Sequence, residues 1–155
     1  VGNKGNSMLI ARYTGDWKKL KALGFMFQRL FASNYICYHT DEIWLWRKDN
    51  RFEIQDLYGR SGEYVKYLVD RGWEFPGRFK IALWDEQEKK VVDNFSEFEI
   101  EGASELLEAH KMAEYAELVA EKFHKRYRRV GIKDETLALI KSFYEAGEIS
   151  LTEEV

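Results

Sequence analysis

The sequence predicts an α+β fold: a mainly antiparallel sheet of about five to seven strands, packed by a long helix in the C-terminal half, with further short helices. Three observations carry that prediction. Residues 25–57 (FMFQRLFASNYICYHTDEIWLWRKDNRFEIQDL) include eight Phe, Tyr or Trp and alternate apolar with polar positions, as half-buried strands do. Residues 104–130 instead repeat apolar side chains at helical spacing: Ala109, Met112, Ala113, Ala116, Val119, Ala120, Phe123, Tyr127 and Val130. No apolar run approaches the ~20 residues of a membrane-spanning helix.

In chain order, residues 1–7 (VGNKGNS) lack any apolar period and are expected to be disordered or left over from expression. Met8–Tyr13 reads as a first strand. Asp16 can cap a short helix in which Trp17, Leu20 and Leu23 share one side, with Gly24 as its stop. Phe25 to Phe31, Tyr35 to His39, and Ile43 to Lys48 follow as strands, turning at Ala32-Ser33-Asn34 and Thr40-Asp41-Glu42. Asp49-Asn50 suits a two-residue hairpin loop, because both residue types tolerate positive φ. That loop sets a register in which Trp44 faces Gln55, Leu45 faces Ile54, Trp46 faces Glu53 and Arg47 faces Phe52. Ile43, Leu45, Phe52 and Ile54 then form a core face. Trp44, Trp46, Lys48, Arg51, Glu53 and Gln55 form the other.

Ser61 can cap a helix that stops at Gly72. Phe79–Asp85 and Val91–Phe95 read as strands across the turn EQEKK, with Phe98 and Ile100 extending the second. The long helix carries Glu105 and Glu108 early and Lys125, Arg126, Arg128 and Arg129 late, matching its dipole, and Gly131 ends it. A last helix follows Lys133 and stops at Gly147. The expected organisation is a single α+β domain over 8–131, with 132–155 a C-terminal helix and tail packed on or appended to it. That tail, with the helix-start signal Thr152-Glu153-Glu154, resembles the short helical hairpins appended to some bacterial proteins. The resemblance implies an oligomerisation or docking element, with homo-oligomers formed through the C-terminal helices.

Cys37 is alone, which excludes a disulfide framework and makes a cytoplasmic location the expectation. The net charge of −3 is unevenly spread: residues 1–48 carry eight Lys/Arg against three Asp/Glu, and residues 49–102 carry eight against thirteen. Such asymmetry can orient a partner. His110, Glu114, Glu117, Glu121 and His124 fall on one helical stripe, but opposite the apolar arc and without matching ligands on a facing helix. A solvated face is the expectation, and no metal site. Lys122–Arg129 mixes basic and aromatic residues, yet its charges scatter around a helix, so dipole compensation and solubility explain them better than phosphate contact does. His39, Asp41 and Glu42 cluster in a turn, where polar residues are common without catalysis. No nucleophile elbow, Walker loop or zinc-protease motif is present, so no catalytic residue and no cofactor are assigned and a non-enzymatic role is expected, with a small enzyme of unknown reaction, using His39, His110 or His124, as a further alternative.

Gly59-Arg60-Ser61-Gly62, running into Glu63–Leu68, resembles the GxxG loop and following helix of KH domains. That resemblance implies nucleic-acid binding by Gly59, Arg60, Ser61, Gly62 and Lys66, with backbone N–H groups meeting phosphate. It also implies a helix before the loop, where Arg51–Leu57 reads as a strand. A strand-to-helix turn capped by Ser61 accounts for the same residues.

The leading expectation is a protein that binds a protein partner through Trp44, Trp46, Lys48 and Arg51, because Trp and Arg dominate binding hot spots. In texture the chain is similar to accessory or inhibitor proteins of phages and mobile elements. No membrane association is expected.

Overall fold

The structure is a computed structural model that describes residues 8–30, 35–48, 51–56, 59–60, 62–77, 81–92, 103–123 and 126–154. Several expectations fall outside those residues: the disorder of 1–7, the turns at Ala32–Asn34 and Asp49-Asn50, the Ser61 cap, and strand residues at Phe79 and beyond Val92. The described residues gather into two compact units, Val1–Val69 with Asp134–Val155 (unit 1) and Asp70–Lys133 (unit 2). The class is α+β, as the sequence predicts.

Unit 1 is built on a sheet of β1 (Met8–Tyr13), β2 (Met26–Leu30), β3 (Tyr35–His39), β4 (Ile43–Lys48), β5 (Arg51–Asp56) and β10 (Ile149–Glu154). Their order is β10-β1-β5-β4-β3-β2, all antiparallel, and the two-residue β6 (Gly59–Arg60) pairs with Gln55 and Asp56 of β5, past the two residues of β5 that pair with β1. The β4–β5 register is the one the hairpin chemistry predicts: Trp44 opposite Gln55, Leu45 opposite Ile54, Trp46 opposite Glu53 and Arg47 opposite Phe52. Alternation then buries Ile43, Leu45 and Ile54 on one side, continuous with Tyr38.

Three helices complete the unit: α1 (Trp17–Ala22), α2 (Gly62–Asp70, its last residue falling in unit 2) and α5 (Asp134–Glu145). Asp16 caps α1 by accepting from the Lys18 N–H at 2.9 Å, and Gly24 ends it at φ 89°, where a Cβ would be strained. Only Leu20 of α1 is buried, while Trp17 and Leu23 stay 47% exposed. The apolar spacing of α1 therefore marks a one-residue anchor. From α5, Phe143 packs on Tyr13 at 4.8 Å and on Phe25 at 6.4 Å between ring centroids, joining helix to sheet.

The C-terminal tail is corrected by β10. Ile149–Glu154 does not start another helix but pairs along the whole of β1, from Tyr13↔Ile149 to Met8↔Glu154. Ile149, Leu151 and Thr152 are strand formers, and the open edge of β1 offers a ladder that a two-turn helix could not match.

Unit 2 holds β7 (Ile81–Asp85), β8 (Lys90–Val92), α3 (Ala103–Glu108), α4 (Met112–Lys122) and β9 (Tyr127–Gly131), with strand order β8-β7-β9. Here the predicted long helix is divided. His110 adopts φ 55°, which ends α3, and α4 stops at Phe123. Residues 127–131 pair with β7 from Asp85↔Tyr127 to Ile81↔Gly131. The helical arc survives only over α4, where Met112, Tyr115, Ala116 and Val119 pack with Leu83 and Val92. Val130 is buried too, but on a strand. Pairing with β7 outweighs a helical propensity that amounts to a few tenths of a kcal/mol per residue.

Candidate functional site

The sheet of unit 1 brings His39, Trp44 and Trp46 into one stack. Register places His39 opposite Trp44 and Cys37 opposite Trp46 across β3–β4, so all four point to the same face. The His39 and Trp44 rings lie 4.2 Å apart at 12°, and Trp44 and Trp46 lie 5.6 Å apart, also at 12°. Both tryptophans are half-buried. Cys37 beneath them is fully buried, and burial pushes its thiol pKa up, which makes it an unreactive packing residue. Glu53, only 3% exposed, sits in register between Trp46 and Arg12 on this face. Arg51 is exposed on the same face and pairs with Lys48, whose side chain lies outside the described residues.

His39 is thus part of a ring stack. The neighbouring turn is organised by Thr40, whose hydroxyl oxygen accepts from the N–H groups of Glu42 (3.2 Å) and Ile43 (3.1 Å). Those hydrogen bonds account for a polar turn without acid–base chemistry.

The KH-like loop takes a different form from the one its resemblance implies. Gly59 and Arg60 are strand residues paired with Asp56 and Gln55, and the element before them is β5, not a helix. Gly62 opens α2 and is buried. A Cβ there would stand 1.8 Å from the Leu9 carbonyl oxygen, so the glycine is needed for close approach to β1. Glu63 reinforces that contact by accepting from the Leu9 N–H at 3.2 Å. Lys66 is exposed on the same helix. Packing against β1 accounts for Gly62 without a phosphate.

The basic run at 122–129 also has a structural account. In unit 2 Arg126 Nη2 lies 3.2 Å from Asp85 Oδ2, Arg128 pairs with Glu86, and Arg129 Nη1 lies 2.9 Å from Glu117 Oε1. Asp85 is 2% exposed and organises the turn after β7, accepting at Oδ1 from the N–H groups of Gln87 (2.9 Å) and Glu88 (3.1 Å). Burial pushes its pKa up, but the bond from Arg126 and these two N–H groups more than offset that, leaving it below its ordinary value. The stripe of possible metal ligands is dispersed: His110 is in the turn ahead of α4, Glu117 is paired with Arg129, and His124 lies outside the described residues. Among the described residues no group of three or more His, Cys, Asp or Glu side chains converges to hold a metal ion.

Across the sheet from the tryptophans lies a second surface that the sequence does not announce. Trp17, Phe27, Ile36, Tyr38, Arg47 and Phe52 line a hollow of about 280 Å³. A larger one of about 530 Å³ opens at the ends of β1, β5 and β10, where Arg12 and Arg51, which register places on the tryptophan face, line it together with Tyr13, Trp17 and Phe52 of the other. Tyr13 donates from its hydroxyl to the Asp16 carbonyl at 2.9 Å. Its pKa is pushed up to about 12 by burial and by the nearby carboxylates Glu148 and Asp16, so the wall of this hollow keeps a neutral phenol. Trp17 follows the apolar spacing of α1 and Phe27 the alternation of a strand, yet both are 47% exposed. The one sequence signal for this surface is that Arg29 and Arg47 alternate in phase with Phe27 and Leu45 rather than against them.

No helix among the described residues is long and apolar enough to cross a membrane. The chain matches no family model, no curated protein and no solved structure.

Proposed function

We propose that the chain is a non-enzymatic interaction protein, of the accessory or inhibitor kind, that binds a protein partner through the aromatic and basic sheet face bearing Trp44, Trp46, Lys48 and Arg51. The observation that carries this reading is the His39–Trp44–Trp46 stack, whose tryptophans are left half-buried. Stacked rings are held in place before any partner arrives, so little side-chain entropy is lost on docking. Large, rigid, amphipathic rings beside an exposed arginine are the composition that concentrates binding energy.

The test is capture of partner from a lysate of the source organism by tagged protein and by a W44A/W46A variant, each checked for folding by circular dichroism. The reading expects a stoichiometric partner on the unaltered protein that the variant loses. A partner retained in full by a folded variant would remove the tryptophan face from the account. Light scattering at increasing concentration addresses homo-oligomers, which would take the same surface or the C-terminal helix.

A further inference from the structure

Among the described residues β10 and β2 are the two edge strands of the unit 1 sheet, and their edges differ. β10 ends in two adjacent carboxylates, Glu153 and Glu154, the kind of edge charge that discourages a further strand. β2 (MFQRL) has one charge, Arg29, and leaves side chains in water on both faces. Met26, on the side of His39, is 64% exposed; Phe27, on the side of Tyr38, is 47% exposed, and Arg29 beyond it is exposed too. Six large apolar side chains are exposed among the described residues, and four of them, Trp17, Leu23, Met26 and Phe27, lie on α1, on β2 or between the two. An edge strand that is apolar and exposed on both faces pairs readily with a strand of another chain.

We propose that this strand belongs to a second copy of the chain, β2 against β2, antiparallel about a two-fold axis perpendicular to the sheet. The residues of β2 select that occupant. Such an axis sets one residue opposite its own copy, and only an axis at Gln28 pairs all five residues of the strand. Gln28 then faces Gln28, where each amide can both donate and accept, and Met26 stands opposite Leu30 of the other copy. Phe27 stands opposite Arg29 of the other copy, so the one charge of the strand meets a ring instead of its like. An axis one residue later would set Arg29 against Arg29. One residue earlier it would need Phe25, which is 5% exposed and packed on Phe143. A foreign strand could take the same ladder hydrogen bonds, but the copy supplies a matching side chain at every position. The axis keeps like faces together, so the dimer carries both His39–Trp44–Trp46 stacks on one side of a continuous sheet. A five-residue edge is small beside the roughly 20–30 residues a side of a standard interface, so association is expected in the micromolar range or weaker. The interface uses neither the tryptophan stack nor α5.

The experiment is sedimentation velocity on the full chain from about 1 µM to about 1 mM, with hydrogen exchange at the two ends of that range. The expected result is a monomer that becomes a dimer as concentration rises, with exchange slowed over β2 and not over β10. Phe27→Lys sets Lys against Arg29 of the other copy, twice per dimer, and should weaken association by about tenfold or more. Adding Arg29→Glu to Phe27→Lys turns each clash into an ion pair and should restore the dimer. Met26→Lys removes no packed ring and should weaken association from the other face, while W44A/W46A should dimerise like the parent. Circular dichroism checks that each variant is folded. A chain that is monomeric at about 1 mM overturns the proposal. So does an unchanged affinity in folded Phe27→Lys or Met26→Lys, a double variant that associates no better than Phe27→Lys alone, or a dimer lost in W44A/W46A. The dimer does not require a partner at the tryptophans: loss of a captured partner in W44A/W46A tests that reading, and sedimentation of the β2 variants tests this one.

Discussion

Arginines next to aromatic rings occur in both units, and the two sets are assembled differently. In unit 2, Arg126, Arg128 and Arg129 are consecutive or nearly so in sequence, and each is matched by a carboxylate on β7, its turn or α4. In unit 1, Arg12, Arg47 and Arg51 come from three strands and gather around Trp17 and Phe52 in hollows whose described lining has no carboxylate. The basic run that looks most like a phosphate grip in the sequence is thus held by carboxylates of its own unit. The set dispersed along the chain is the one assembled beside exposed rings. Local density of charge says where arginines are, and only the pairing of strands says what they face.

The units also differ in how they should fail, and the largest expected effect is steric. Gly62→Ala places a carbon against the Leu9 carbonyl oxygen, backbone against backbone, with no flexible side chain to give way. It should cost unit 1 about 3 kcal/mol, read as a lowered denaturant midpoint. A neutral outcome would show that α2 can lift from β1, and would reopen the loop to a ligand role. In unit 2 the corresponding weak point is electrostatic. Asp85→Ala removes two turn hydrogen bonds and the Arg126 partner at once, and should cost about 2 kcal/mol. Arg126→Ala should cost less, because its side chain is 45% exposed and water replaces the lost carboxylate.

Much of the sheet was legible from the residues and much of unit 2 was not, for reasons that can be named. The β4–β5 register followed from one hairpin signal and a strict two-residue alternation, both of which are local. Gly24, Gly72 and Gly147 were readable as helix stops, and all three have positive φ. The division of 104–130 was not readable, since Tyr127–Gly131 becomes a strand only because β7 lies ready to pair with it, 42 or more positions earlier in the chain. Ile149–Glu154 is similar, with a partner strand at the other end of the sequence. Of the surface residues, Trp44 and Trp46 were found because alternation exposes them by default. Trp17 and Phe27 were missed because their spacing is that of core residues, and their exposure depends on how short α1 is and how near β2 lies to the sheet edge.

Acid and alkali should separate the units. Asp85 titrates below its ordinary value of 3.8 when folded, so its contribution is present above that value and is lost as pH falls through the folded one. Tyr13 behaves in the other direction. Its folded pKa of about 12 exceeds the unfolded value of 10.0, so stability is full below pH 10 and declines between 10 and 12 as the unfolded chain ionises first. Hydrogen exchange at the two extremes should show β7–β9 amides opening first in acid and β1–β10 amides first in alkali. Simultaneous loss in both units at both extremes would mean that they unfold as one cooperative body.

The smallest effect is the most discriminating. Arg47→Ala and Arg51→Ala should each change stability by no more than about 0.5 kcal/mol, because both side chains are exposed on a sheet whose core is formed by Leu45 and Ile54. If either substitution instead costs as much as Asp85→Ala, that arginine is a structural member like those of unit 2, and the contrast between the two sets disappears. A measurable gain in stability would sharpen it, since neighbouring like charges repel one another.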